Sequence, residues 1–164
     1  MRQRYLIALG SNKRHHRHGL PTAVLRAAVD ALVDAGLAVE SAAPILASVP
    51  LGPSLRRYAN SAALIATDLM PDELLGLLKQ IERDFGRRSG GQRWASRVLD
   101  LDLVLWSGGA WSSPGLTVPH LAYRTRDFVL APALAVAPAW RDPFTNLSLR
   151  HLKARLTRRR PMPR

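Results

Sequence analysis

Two aspartates, Asp100 and Asp102, stand one residue apart in the run Val98-Leu99-Asp100-Leu101-Asp102-Leu103-Val104-Leu105-Trp106. In an extended strand, residues two apart share a face, so both carboxylates project together, roughly 6–7 Å apart along the chain. A carboxylate pair on a strand otherwise built of leucine and valine carries a large desolvation cost unless a cation lies between them. Paired hard oxygen ligands are what magnesium–phosphate sites use, with water and phosphate oxygens completing the coordination. The same pair is also compatible with a solvated strand face on which the aspartates simply meet arginines.

Immediately upstream, Arg87, Arg88, Arg93 and Arg97 are threaded through a segment that contains Gly90 and Gly91. The planar guanidinium fork matches phosphate oxygens two at a time and keeps its charge at neutral pH. A basic, glycine-containing loop leading into an acidic pair suits a nucleotide polyphosphate whose oxygens are bridged by metal. The competing reading is a basic patch for nucleic acid; carboxylates at its centre would repel a phosphate backbone. No Gly-x-x-x-x-Gly-Lys-[Ser/Thr] or Gly-x-Gly-x-x-Gly stretch occurs, which excludes a P-loop kinase and a dinucleotide-binding fold.

The whole chain supports an anionic ligand. Its 24 Lys and Arg against 12 Asp and Glu give a formal charge of +12, and so basic a balance points to nucleic acid, a polyphosphate or an acidic surface without choosing among them. With 164 residues there is room for one domain with a proper core. The absence of cysteine excludes a disulfide framework and a thiolate metal site. Apolar runs fall short of the ~20 residues a membrane helix needs. The apolar run at 5–9 is shorter than that of a signal peptide, so a cytoplasmic location and no membrane partner are expected.

The elements that must position these groups follow from periodicity. Residues 5–9 form an expected strand closed by Gly10-Ser11-Asn12, followed by a basic loop over 13–18. Val24, Ala28, Leu32 and Ala35 recur at helical spacing between Pro21 and Gly36. Residues 37–48 form a strand interrupted near Pro44, 49–53 a loop, and 58–67 a second long strand. Pro71 opens a helix with Leu74, Leu78, Ile81 and Phe85 on one stripe and Gly86 as its stop. Residues 98–106 form a strand on which Val98, Asp100, Asp102 and Val104 alternate with Leu99, Leu101, Leu103 and Leu105. Gly108-Gly109 marks a turn, short helical pieces follow His120, and 157–164 form a frayed basic tail beyond a single domain of 1–156. The order β-α-β-β-α-β fits a ferredoxin-like α+β sandwich, an antiparallel sheet with helices on one face. His15, His16 and His18 lie among like charges at a spacing that matches no familiar metal site, so a solvated loop is expected there.

The order of motifs is specific. Leu-Gly-Ser-Asn at 9–12, Pro-Leu-Gly-Pro at 50–53, Tyr58-Ala59-Asn60 and Ile81-Glu82 before Gly86-Arg87 precede the run Arg93-Trp94-Ala95-Ser96-Arg97-Val98-Leu99-Asp100-Leu101-Asp102. Thr117-Val118-Pro119-His120 and Arg126-Asp127-Phe128 complete the series. Over roughly residues 5–140 the sequence resembles the 6-hydroxymethyl-7,8-dihydropterin pyrophosphokinase family. The resemblance implies transfer of diphosphate from ATP to the hydroxymethyl group of the pterin, releasing AMP, in folate biosynthesis. It implies Asp100 and Asp102 as ligands of two magnesium ions, and Arg87, Arg93 and Arg97 as phosphate-binding and loop-closing arginines, with Trp94 on the same loop. His120 and Arg126 would hold the ATP phosphates from the opposite side. Tyr58 and Phe128 would sandwich the pterin, Asn60 would bond its edge, and Ser48, Val49 and Leu51 would offer backbone groups. Glu82 would position its neighbours rather than transfer a proton. A monomer working on small molecules is expected, with nucleic acid not a partner. Ser89 and Leu121 depart from the family pattern, as does the 13–18 loop.

Two readings of other classes remain open at this point. A nucleic-acid-binding module of the same topology is compatible with the charge, although the RNP aromatic pair is missing. A relative that has lost catalysis is the second; the intact Asp100, Asp102, Arg97 and His120 weigh against it.

Overall fold

The fold is taken from a computed structural model that describes residues 1–48, 57–86 and 98–158. Strand β1 (Gln3–Ser11) leads through the 13–18 loop into helix α1 (Pro21–Asp34), and β2 (Ala38–Ala42) and β3 (Leu46–Ser48) follow. Strand β4 (Tyr58–Thr67), helix α2 (Pro71–Asp84) and strand β5 (Asp100–Trp106) complete the β-α-β-β-α-β order. A short ribbon, β6 (Trp111–Ser113) with β7 (Leu116–Val118), comes next. A 3-10 turn (Tyr123–Thr125) and helices α3 (Asp127–Val136) and α4 (Leu149–Thr157) follow it.

The sheet runs β2-β4-β1-β5, antiparallel at each junction, with β3 also on β4. β2 and β3 are the two halves of the strand expected over 37–48, and Pro44 falls in the gap between them. A proline gives no ladder N–H, so it is tolerated only at such an edge.

Both helices of the β-α-β-β-α-β unit lie on one face. There Leu25, Leu32, Leu74 and Leu78 pack against Tyr5, Ile7, Leu9, Ile65, Leu101 and Leu103. The opposite face is covered as well, which the sequence expectation of one helical face did not include. Val129, Leu130 and Ala133 of α3 and Leu149 and Leu152 of α4 close over Leu6, Ala62, Val104 and Leu105.

Helix ends follow their chemistry. Pro21 and Pro71 occupy the first turns of α1 and α2, where a missing N–H costs nothing. Glu73 Oε2 accepts the Met70 N–H at 2.8 Å, placing negative charge at the start of α2. Gly36 closes α1 with φ of 88°, a conformation that side chains with a Cβ resist.

Two expectations need correction. β1 does not stop at Leu9: Gly10 and Ser11 stay in the ladder, opposite Asn60 and Ala59 of β4. The even alternation of 98–105 also breaks. Leu103 pairs with Ile7 and Leu105 with Leu6, so Val104 is an extra, unpaired residue. A bulge of this kind inverts the faces beyond it. Leu105 therefore joins the second core with Val104, and Trp106 packs toward the first. At the chain's end, α4 runs through Thr157, taking in the first residue of the expected tail; 159–164 lie outside the described residues.

Candidate active site

Residues paired across a ladder share a face, so the register fixes what surrounds the aspartates. Asp100 lies opposite Gly10, which lies opposite Asn60; Asp102 lies opposite Ala8, which lies opposite Ala62. Asp100, Asp102 and Asn60 therefore rise from one face, with the carboxylates about 10 Å from Asn60 at two strand spacings. Gly10 is the floor between them. A Cβ there would sit 3.6 Å from Asn60 Oδ1, in ordinary contact and inside the lane between the two side chains. Tyr58 shares the Asn60 face and pairs with Ser48 of β3.

Tyr58 and Phe128 are 45% and 52% exposed, so neither is a core aromatic, the usual fate of such residues. Phe128 lies in the first turn of α3, and the Arg126 guanidinium lies 5.7 Å from its ring centroid. Asp127 between them is tied to Lys153 of α4, which links this end of α3 to the C-terminal helix.

His120 is placed by the bulge. Its N–H donates to the carbonyl of Val104 at 3.0 Å, and its Nδ1 accepts the Ala122 N–H at 3.1 Å. That bond leaves Nε2 as the ring's donor. The following turn is held from below by Asp142. Its buried carboxylate accepts from the Tyr123 hydroxyl at 2.7 Å, from both ends of the Arg124 guanidinium and from the Phe144 N–H at 2.9 Å. Burial alone would raise the Asp142 pKa, but these donors outweigh it and hold the carboxyl well below its usual range. Arg124 is thereby committed to structure, while Arg126 is among the charges that act on Asp102.

Burial pushes the Asp102 carboxyl up, and neighbouring Asp100 pushes it further; His120, Lys79 and Arg126 pull it down without cancelling the rise. Among the described residues an ionised Asp102 is thus short of positive charge. Among the described residues no group of three or more His, Cys, Asp or Glu could hold a metal ion. Asp102, with a second carboxylate two residues away on the same strand face, fits the oxygen donor set of magnesium, which keeps several waters and shares itself with phosphate.

Glu82 is 2% exposed and grips the strand that carries the aspartates. Its Oε1 accepts the Leu101 N–H at 2.8 Å, and Lys79 Nζ stands 3.2 Å from Oε2. Burial raises the Glu82 pKa and Asp100 adds to it, against the lowering by the Leu101 N–H and Lys79.

A cleft of about 380 Å³ follows β5. Leu75 and Lys79 of α2 line one side and Ser113, Leu116 and Thr117 of the β6–β7 ribbon the other, with Asp102, His120 and exposed Leu121 at the rim. Thr117 belongs to the motif at 117–120, but Leu75, Lys79 and Ser113 were not singled out from sequence. The signal was present for two of them: Leu75, Lys79 and Glu82 recur at 4 and 3 residues, one stripe of a helix.

The structure thus brings together Asp100, Asp102, His120, Arg126, Asn60, Tyr58 and Phe128 around one face of the sheet. Val49, Leu51, Arg87, Arg93, Trp94 and Arg97, like Ser89, lie outside the described residues. The expected solvated loop holds for the exposed Lys13, Arg14, His16 and Arg17 but not for His15, which is buried with its Nδ1 accepting the N–H of Arg17 and His18, while His18 stacks on Phe85.

The family model described as 7,8-dihydro-6-hydroxymethylpterin-pyrophosphokinase (HPPK) matches residues 6–138. The chain belongs to this family. The 2-amino-4-hydroxy-6-hydroxymethyldihydropteridine pyrophosphokinase of Pseudomonas aeruginosa is 38% identical over 144 residues, 87% of this chain and 86% of the relative. The protein of the same name from Haemophilus influenzae is 35% identical over 133 residues, covering 80% and 79%. The fold matches solved Plasmodium falciparum HPPK-DHPS, wild type, with a TM-score of 0.72 over 94% of this chain and 41% of that one. At 12% identity that likeness establishes the architecture alone. Family membership assigns pyrophosphokinase activity in folate biosynthesis, and no helix among the described residues is long and apolar enough to cross a membrane.

Proposed function

We propose that this chain moves the β,γ-diphosphate of ATP onto the hydroxymethyl oxygen of 6-hydroxymethyl-7,8-dihydropterin with magnesium as the required ion. The observation that carries the proposal is the shared face of Asp100 and Asp102, with Asp100 in the same row as the Gly10 floor and Asn60, and His120 and Arg126 among the charges acting on Asp102. That arrangement sets a place for charge neutralisation next to a place for a flat heterocycle.

In this reading the cleft beside β5 takes the nucleotide base and sugar, and the phosphates run toward the aspartates. Tyr58 and Phe128 hold the pterin ring between them and Asn60 bonds its edge, with backbone groups of Ser48, Val49 and Leu51 alongside. His120 Nε2–H and Arg126 hold phosphate oxygens; Arg87, Arg93 and Arg97, with Trp94, close over the other side. Asp100 and Asp102 would hold magnesium, with two ions proposed, and it would supply charge neutralisation among the phosphate oxygens. The hydroxymethyl oxygen forms a bond to the β-phosphorus, the bond from that phosphorus to the α,β-bridging oxygen breaks, AMP leaves and the hydroxyl proton passes to solvent. Positioning and electrostatics supply most of the rate in such transfers, so no strong general base is required of this chain.

We take residues 1–156 as the catalytic domain, acting as a monomer in the cytoplasm. Mass spectrometry of the pterin product tests the reaction. A pterin carrying a diphosphate, formed only with both ATP and magnesium, is expected; a monophosphate ester would overturn the proposed bond breakage.

A further inference from the structure

The cleft beside β5 has two walls that no ladder joins. One is α2; the other is the β6–β7 ribbon, three residues to a strand. A two-stranded ribbon of that size is marginal by itself, so its place against α2 depends on what ties it there. Leu116 and Val118 anchor its inner side in the first core. At the other end the tie is polar. Ser113 Oγ donates to Asp72 Oδ1 at 2.5 Å, and Trp111 Nε1 lies 3.2 Å from Asp72 Oδ2 and 3.3 Å from Ser113 Oγ. Trp111 in turn meets Trp106 edge to face, ring centroids 5.5 Å apart.

Asp72 precedes Leu75 and Lys79 by three and seven residues, so it heads the helix stripe that lines the cleft. Ser113, its partner, lines the opposite wall. One carboxylate therefore spans the gap between the walls without itself lining the cavity.

We propose that Asp72 is a positioning residue for nucleotide affinity, a staple that sets the width of the cleft by holding the β6–β7 ribbon to α2. The inference rests on the reading that this cleft takes the nucleotide. Asp72 touches no substrate and acts through Ser113 and Trp111. Its loss lets the ribbon move away from Leu75 and Lys79, and the nucleotide must then restore the closed spacing as it binds.

The test is Asp72→Ala and Asp72→Asn in the full chain. Binding of α,β-methylene-ATP with magnesium is followed by calorimetry, with steady-state kinetics and tryptophan emission beside it. Asp72→Ala is expected to weaken the analogue and raise the KM for ATP by about 3- to 10-fold, the size of a hydrogen bond or two to an accessible carboxylate. The kcat and the pterin KM stay within about twofold, because the interaction removed is the same in ground and transition states. Asp72→Asn keeps an acceptor for the Ser113 hydroxyl and recovers most of the affinity, and tryptophan emission shifts to longer wavelength only in the alanine variant. A merely structural residue would lower the active fraction, and so kcat, with KM unchanged; that result, or unchanged analogue affinity in Asp72→Ala, overturns the inference. Thr117→Trp, which fills the cleft, separates the two claims. If it abolishes analogue binding while Asp72→Ala does nothing, the staple alone is wrong. If it leaves binding intact, the cleft is not the nucleotide site and the staple falls with it.

Discussion

Glu82 Oε1 accepts the backbone N–H of Leu101 at 2.8 Å, so a buried helix carboxylate holds strand β5 at the one residue between Asp100 and Asp102. The spacing and tilt of the two aspartates are thereby referred to α2 as well as to the β1 ladder.

Glu82→Ala leaves the Leu101 N–H without its acceptor and removes the partner of Lys79. A loss of about 1–3 kcal/mol in urea-unfolding stability is expected, the cost of a buried donor left unsatisfied. Glu82→Gln keeps an oxygen at the same place and gives up a charge that burial disfavours. It should unfold close to the parent protein and keep more activity than the alanine variant. Equal losses in both variants would show that charge, not the strand contact, is what Glu82 contributes.

Asp102 illustrates function working against stability. Its carboxyl is raised by burial first and by Asp100 second, so at neutral pH ionisation opposes folding; the stability it lends is whole only below the ordinary carboxylate pKa of 3.8 and is lost as pH rises through the higher folded value. Asp102→Asn should therefore melt at or above the temperature of the parent without nucleotide while losing at least about 100-fold in turnover. A variant that melts lower would contradict the electrostatic account, and one that turns over normally would remove Asp102 from the metal site.

His15 has its pKa lowered from 6.5, mainly by burial and then by His16, His18 and Arg17. The unfolded chain then binds the extra proton more readily, so this part of the stability is complete above about pH 6.5 and is lost as pH falls toward the folded value. Protonation also places a hydrogen on the Nδ1 that must accept the Arg17 and His18 N–H groups. In His15→Asn the amide oxygen replaces Nδ1 as acceptor without titrating, so the fall in melting temperature between pH 7 and 5 should become shallower. An unchanged slope would assign it to other groups.

Asp142 binds the turn between His120 and Arg126 through Tyr123 and Arg124. Asp142 is fully buried while the Arg124 side chain is part-exposed, so removing the carboxylate costs about 1–3 kcal/mol, chiefly for the buried Tyr123 hydroxyl left without its acceptor. Asp142→Ala is expected to lose that much in equilibrium unfolding. Because its folded pKa lies below the ordinary 3.8, the stability it provides is whole above that value and disappears as pH falls beneath it. A parent protein whose acid unfolding is unaltered by Asp142→Ala would contradict the assignment.

What the sequence made legible was local and periodic. The helix stripes at Leu74, Leu78 and Ile81, the strand 58–67 and the shared face of Asp100 and Asp102 all follow from one repeat length within one element. The Val104 bulge did not, because its cause is register against β1, and the leucine–valine pattern reads the same with or without it. Nor was the second helical layer legible: α3 is apolar nearly all round, with no stripe to say which way it faces. Asp142 was invisible for a similar reason, since its partners lie 18 and 19 residues away in a turn. Of the site, the motif residues on β4, β5 and α3 were found, whereas Asp72, Leu75, Lys79 and Ser113 carry no motif and emerge only when α2 and the β6–β7 ribbon are set side by side.

The central claim is best tested by separating adenine nucleotides after incubation of the protein with ATP, magnesium and 6-hydroxymethyl-7,8-dihydropterin. AMP should form in step with loss of the pterin substrate, vanish when magnesium or the pterin is omitted, and fall to background in Asp100→Ala that remains folded. ADP as the nucleotide product, or undiminished AMP from folded Asp100→Ala, would contradict the account.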